Sequence, residues 1–306
     1  MRVAAVDLGT NSTRLLVADV DDGRVEEVVR LTEITRLGDG VDERRKLLPL
    51  PVARVRNVLS DYRREAERLG AERVLAIGTS AVRDAENGEA FLGEIEWSYG
   101  FATRLVTGDE EAGLTLRGVA SGRPLDDGTL VLDVGGGSTE LITTSERTSI
   151  DVGSVRLTER HLRSDPPAPG ALAAAAREVR DLLPALEPTS AIGVAGTITT
   201  LAALELGGYD PERVDGYHLS RAAAERQLER LASLPLAERR ELPGLEPERA
   251  PVIVGGALIV CNVLDRYGLT GLEVSERDLL HGAALEAAQL PEPVEGDAPP
   301  GAYACC

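Results

Sequence analysis

The chain has 306 residues, 43% of them hydrophobic, and a formal net charge of −18, enough material for two cores of ordinary size. That charge argues against non-specific nucleic-acid binding, which needs a basic face. The longest apolar run, residues 252–264, is broken by Gly255, Gly256 and Asn262 and is too short to span a bilayer, and three cysteines (Cys261, Cys305 and Cys306) make no disulfide framework and point to a reducing cytoplasm.

Residues 2–8 form the first strand, a continuous apolar run suited to burial on both faces. No basic-then-apolar leader precedes it, so no targeting peptide is expected. Residues 13–20 pair back onto it, and residues 26–37 read as a third strand. Pro51 then opens a helix to Leu69, with Val52, Val55, Leu59, Tyr62, Ala66 and Leu69 on one stripe and Gly70 as its stop. A strand at 73–79, a helix at 89–99, a strand at 102–106 and a helix at 109–120 complete one domain, residues 1–120. The second domain, residues 121–277, starts with a strand at 130–134 and its return at Leu141-Ile142. A strand at 147–152 and helices at 155–162 and 168–183 follow, then a strand at 191–194 running into a helix. Ser220 caps a helix at 221–234, and a helix at 248–267 and a strand at 271–275 end the domain. A closing helix near residues 278–290 is expected to return to the first domain, and the proline-rich acidic stretch 291–306 to be disordered.

The chemistry concentrates at Asp133-Val-Gly-Gly-Gly-Ser-Thr-Glu140, a hairpin with a glycine tip. Three glycines permit positive φ and leave successive amides free to surround an anion. A carboxylate stands at each end, suited to a divalent cation. Alone, the segment reads equally as a glycine-tipped turn with two solvated acids. A second copy changes the balance: residues 7–18 align without gaps on 133–144, an offset of 126, with Arg14 in the place of Glu140. A repeat of this length is no solenoid. It points to two related α/β domains, each opening with a phosphate hairpin and facing one another across a cleft, the layout of the actin/Hsp70/sugar-kinase superfamily. Substrate would then bridge both domains.

Six segments in order closely resemble the Ppx/GppA family of exopolyphosphatases and guanosine pentaphosphate phosphohydrolases. They are Asp7-Leu-Gly-Thr-Asn-Ser-Thr-Arg14, Thr79-Ser-Ala-Val-Arg-Asp-Ala85, Gly108-Asp-Glu-Glu-Ala112, the triple-glycine hairpin, Gly193-Val-Ala-Gly-Thr-Ile-Thr-Thr-Leu201 and Val274-Ser-Glu-Arg-Asp-Leu-Leu-His-Gly282. The resemblance covers about residues 1–290 and implies two ribonuclease-H-like domains. Longer members carry a C-terminal module of His-Asp type. Here His161, His218 and His281 are not followed by Asp, so the chain resembles the short two-domain form.

The resemblance places the general base at Glu111, with Glu110 as its rival, and makes Arg83 a phosphate ligand. For Arg83 the plain alternative is a surface ion pair with Asp84 or Glu86. Thr10, Asn11 and Ser12 would bind phosphate from the first hairpin, Gly135, Gly136, Gly137, Ser138 and Thr139 from the second, and Gly196 and Thr197 from a third loop. Asp133 and Glu140, with Asp7 by pseudo-symmetry, are the candidate ligands of Mg²⁺ (or Mn²⁺), a hard cation that takes oxygen. Arg14 stands beside them or faces outward. Lys46 is the sole lysine, which excludes a Gly-Lys-Ser/Thr phosphate loop. Cys261 reads as a core residue.

The expected partner is inorganic polyphosphate or guanosine pentaphosphate, with no nucleic acid and no membrane. Whether the chain forms a homodimer stays open. Exopolyphosphatase is the first reading and pppGpp 5′-phosphohydrolase, with the same site, the second. One tryptophan, six tyrosines and two phenylalanines offer no evident guanosine pocket, which favours the first. A nucleotide-binding kinase or regulator is the third.

Overall fold

A computed structural model describes residues 1–291, which form two compact units. The first comprises Met1–Pro124 and the segment starting at Leu279; the second is Leu125–Asp278. The expected disordered stretch lies outside the described residues apart from Pro291.

In the first unit, β1 (Arg2–Leu8), β2 (Thr13–Asp21) and β3 (Arg24–Glu33) form an antiparallel meander. The short α1 (Val41–Arg44) precedes α2 (Pro49–Arg68), and β4 (Arg73–Gly78), α3 (Ser80–Asp84), α4 (Gly88–Tyr99), β5 (Ala102–Leu105) and α5 (Gly108–Ala120) follow. The sheet order is β3-β2-β1-β4-β5, with β1, β4 and β5 parallel. As its apolar run requires, β1 is central and nearly all buried. The α2 stripe of Val52, Val55, Leu59, Tyr62 and Ala66 is buried as expected, and the Tyr62 hydroxyl donates to the Thr13 carbonyl at 2.9 Å. Leu69 caps that helix, and Gly70, at φ 74°, turns the chain away. The helix starts at Pro49 rather than Pro51 because proline is tolerated throughout a first turn.

The third strand ends at Glu33, short of the expected Leu37. Arg36 takes φ 50°, and the Arg36 and Gly38 amides donate to Asn11 and Thr10 carbonyls, each at 2.8 Å. The chain leaves the sheet there to hold the first hairpin tip.

The second unit contains β6 (Thr129–Val134), β7 (Thr139–Ile142), β8 (Arg147–Ile150), α6 (Ser154–His161), α7 (Pro169–Leu182), β9 (Ser190–Val194) and α8 (Ala195–Leu206). After these come α9 (Pro211–Val214), β10 (His218–Ser220), α10 (Arg221–Ser233), α11 (Leu236–Arg239), α12 (Ile253–Arg266) and β11 (Gly271–Val274). Its sheet order is β10-β11-β9-β6-β7-β8. Read from β8, the antiparallel β8-β7-β6 followed by parallel β9 and β11 reproduces the first sheet, with β10 added at the edge. Both units are ribonuclease-H-like, and the 126-residue repeat is one of topology. Ser220 caps α10 as expected, its hydroxyl accepting from the Ala223 amide at 3.2 Å.

Beyond the short helices α9 and α11 and the earlier end of β8, two segments of this unit depart from expectation. β10 spans only three residues, too few for a strand signal. The helix expected from residue 248 starts at Ile253, because Pro251 has no amide to continue a helical turn. Finally α13 (Leu279–Ala287) rejoins the first unit, where Leu279, Leu280, Ala283, Ala284 and Ala287 share a core with Val3, Ala5, Ile77 and Leu114. Among the described residues no helix is long and apolar enough to cross a membrane.

Candidate active site

In each unit the candidate residues leave the carboxyl ends of neighbouring parallel strands, where open α/β sheets bind ligands. In the first, Leu8, Gly78 and Leu105 lie level across β1, β4 and β5. The first hairpin, the turn into Arg83 and the start of α5 therefore share one sheet edge. In the second, Asp133 pairs with Val194 and Gly193 with Val274, so the triple-glycine tip and the Ala195–Gly196 turn share another.

The two tips are built alike. Gly9 donates its amide to the Ser12 carbonyl at 3.0 Å, and Gly135 to Ser138 at 3.1 Å, the same bond 126 residues later. In the second tip the Gly135 carbonyl accepts from the Ser154 amide at 2.9 Å. The Gly136 carbonyl accepts from Val155 at 2.8 Å and Arg156 at 3.1 Å. The start of α6 thus consumes the tip's carbonyls, as Arg36 and Gly38 consume those of Thr10 and Asn11. In a trans peptide the C=O and N–H point in opposite directions. The amides of Asn11, Ser12, Gly136 and Gly137 therefore face away from these anchors, and among the described residues none donates to another backbone carbonyl. Two rows of oriented N–H groups result, each suited to phosphate oxygens.

Positive φ is not the device. None of Gly135, Gly136 and Gly137 is among the residues of left-handed backbone, contrary to expectation. The close approach lies elsewhere: a Cβ on Gly153 would stand 2.5 Å from the Gly136 carbonyl carbon and 2.6 Å from the Gly137 nitrogen. Sequence reasoning missed Gly153, since its partner is a backbone segment of another element.

Among side chains, Asn11 is buried and neither amide atom has a hydrogen-bond partner among the described residues. A buried polar group in this state is fitted to a ligand or water. Thr10 and Ser138 are also buried, and Ser12 is half-buried. The Thr139 hydroxyl is committed elsewhere, donating to the Val152 carbonyl at 2.6 Å; the equivalent Thr13 bonds the Thr35 hydroxyl at 2.9 Å. Thr197 likewise donates to the Val134 carbonyl at 3.0 Å, so its hydroxyl ties α8 to the tip instead of offering a proton to phosphate. Just before it, Ala195 adopts φ 66°, a conformation that costs an alanine energy. A Cβ on Gly196 would stand 2.7 Å from the Arg249 guanidinium carbon. Arg249, read from sequence as a helical residue, instead lies in the turn that Pro251 forces and brings a cation to this loop.

The hairpin acids divide by unit. Asp7 and Arg14 face each other across β1 and β2 and form an ion pair of 2.8 Å, which gives Arg14 its role and Asp7 a partner other than a metal. Asp133 and Glu140 face each other across β6 and β7, both buried, and Glu140 accepts from the Ser149 hydroxyl at 2.8 Å. Two carboxylates facing each other across a ladder offer the hard oxygen ligands that a divalent cation takes. Among the described residues no three His, Cys, Asp or Glu side chains converge on one point. Further oxygen ligands would come from substrate and water, a pattern usual for Mg²⁺.

The rival glutamates are separated by their surroundings. Glu110 closes a capping box with Thr107 and accepts from Arg104 at 2.5 Å. Bonds from the Thr107 amide, Arg104 and the Thr107 hydroxyl pull its carboxyl down to about 2. The cap is therefore intact at neutral pH and weakens only as pH falls toward that value. Glu111 is buried and accepts from Arg83 at 2.9 Å, while the same Arg83 nitrogen donates to the Val106 carbonyl at 2.8 Å. Arg83 thus pairs with Glu111, not with the Asp84 or Glu86 expected for a surface arginine. Gly255 and Gly256 are explained by packing: a Cβ on Gly255 would meet the Ser154 carbonyl at 2.8 Å. Cys261 is buried, and burial raises its thiol to about 12, as an inert core residue requires.

The model of the Ppx/GppA phosphatase family matches residues 16–290. The chain is 40% identical to exopolyphosphatase 2 of Mycobacterium tuberculosis, over 94% of this chain and 98% of that protein. A guanosine-5′-triphosphate,3′-diphosphate pyrophosphatase of Vibrio vulnificus is 28% identical, over 92% of this chain and 58% of its own length. The crystal structure of an exopolyphosphatase-like protein superposes with a TM-score of 0.87 at 33% identity, covering 94% of this chain and 99% of that one.

Proposed function

Since the chain belongs to the Ppx/GppA phosphatase family, we propose that it is a cytoplasmic exopolyphosphatase, releasing terminal orthophosphate from inorganic polyphosphate. The observation that carries this reading is the buried Glu111 held by Arg83 at the sheet edge of the first hairpin. A water attacks the terminal phosphorus and passes its proton to a Glu111 oxygen. The new P–O bond forms as the anhydride bond breaks, and its electron pair leaves on the bridging oxygen of the shortened chain. Arg83 orients the Glu111 carboxylate and offers its remaining N–H groups to the terminal phosphate. Within the first unit the amides of Asn11 and Ser12, and within the second those of Gly136 and Gly137, are each suited to holding phosphate oxygens of the chain. Thr10 adds to the first row, and Ser138 and the turn at Gly196, with Arg249 beside it, add to the second.

Asp133 and Glu140 are the residues that would hold Mg²⁺ or Mn²⁺, and the ion would supply neutralisation of phosphate charge. In a protein of net charge −18 a bare polyanion meets repulsion that amides alone do not offset. The alternative, hydrolysis of pppGpp to ppGpp by the same residues, is supported by the Vibrio vulnificus relative at its lower identity.

One assay separates these readings: phosphate release from long-chain polyphosphate, tripolyphosphate and pppGpp, each with Mg²⁺ and with EDTA. The expected order places polyphosphate first, with activity lost in the chelator and restored by Mg²⁺. Faster release from pppGpp would select the alternative. Full activity in EDTA, with no metal in the purified protein, would remove the cation from the mechanism.

A further inference from the structure

The closing motif, Asp278-Leu-Leu-His-Gly282, contributes none of the groups above, yet every side of its helix is engaged within the first unit. A Cβ on Gly282 would press into the carbonyl of Leu114, 2.6 Å from its carbon and 2.9 Å from its Cα. The backbones of α13 and α5 therefore touch at Leu114, one turn beyond Glu111. Four residues after Gly282, the Glu286 carboxylate accepts from Arg104 and, at 3.0 Å, from Arg117. Arg117 lies on the last turn of α5. Arg104 also bonds Glu110, so it joins Glu286 to the first turn of α5. About a quarter-turn round α13 from Gly282, the buried His281 faces β3, 2.9 Å from Glu27.

We propose that Gly282 and Glu286 are positioning residues for Glu111: α13 sets the height and rotation of α5, and with them the place of the carboxylate against Arg83. This rests on the reading of Glu111 as general base. Misplacing a reacting group by about 1 Å costs on the order of 10²-fold in rate.

The test uses the full chain and long-chain polyphosphate with Mg²⁺. Gly282→Ala, which must push α5 away, is expected to lower kcat by about 10²-fold with KM within about twofold. Glu286→Ala should act in the same direction by a smaller factor, and it carries the test should Gly282→Ala not fold. The acid limb of the kcat–pH profile should move in Glu286→Ala, because the Glu111–Arg83 spacing changes; loss of folded protein alone lowers the amplitude without moving the midpoint. In a double-mutant cycle, Glu286→Ala should add almost nothing to Glu111→Gln, since both act through one carboxylate. Additive losses, or an unmoved profile with a loss equal to the unfolded fraction, would overturn the proposal. A normal rate in Glu111→Gln alone would instead remove the reading beneath it.

Discussion

Glu111→Gln is expected to lower phosphate release by about 10²–10⁴-fold, the range for loss of a general base, with substrate affinity retained or improved. The amide keeps the shape of the carboxylate and can still accept from Arg83, so the pocket around it should not collapse. It also removes one negative charge facing a polyanion. The separation of Glu110 from Glu111 makes the experiment decisive. Glu110 is bound to the Thr107 amide and Arg104 and is only half-buried, whereas Glu111 is buried. Glu110→Gln should therefore cost stability at the α5 start more than rate. A near-normal rate in Glu111→Gln, with the loss in Glu110→Gln instead, would show that the base is the other acid.

Gly153→Ala is expected to raise KM on the order of 10²-fold, since displacing the tip forfeits hydrogen bonds to a charged group, each worth about 1.5–3 kcal/mol. Backbone conformation is not at issue. Gly153 has φ −145° and ψ 173°, an extended geometry open to any residue. What forbids alanine is the Gly136–Gly137 peptide crossing where its Cβ would be. The tip must move, and with it the two amides aimed at substrate. Binding of a non-hydrolysable polyphosphate analogue should weaken by a similar factor, with circular dichroism and melting showing a folded protein. An unchanged KM in a folded variant would mean that the tip does not touch phosphate.

The parts of the molecule that sequence made legible are those governed by local rules. β1 is a run of apolar residues, the α2 stripe has helical period, and Ser220 begins a helix as a capping serine should. The repeat between residues 7–18 and 133–144 survives in the equivalent bonds Gly9–Ser12 and Gly135–Ser138. What stayed hidden depends on neighbours distant in sequence. Nothing in the run after Glu33 announces that Arg36 and Gly38 bond the first tip. Thr139 and Thr197 look like phosphate ligands until Val152 and Val134 are seen to take their protons. Arg249 reaches Gly196 only because Pro251 delays a helix, and Gly153 matters only through a peptide bond 16 residues before it.

On the ribosome the first unit must wait. Residues Leu125–Asp278 intervene between its two segments, and at roughly 5–20 residues per second that insertion takes on the order of ten to thirty seconds to synthesise. For that time Val3, Ala5, Leu16, Ile77 and Leu114 lack the cover of Leu280, Ala283 and Ala284. The core of the first unit therefore closes only after the whole second unit has been made. Limited proteolysis of ribosome-bound chains stalled before and after α13 emerges should cut residues 1–124 readily in the earlier species only. Equal protection in both would show that the first unit reaches its fold without its last helix.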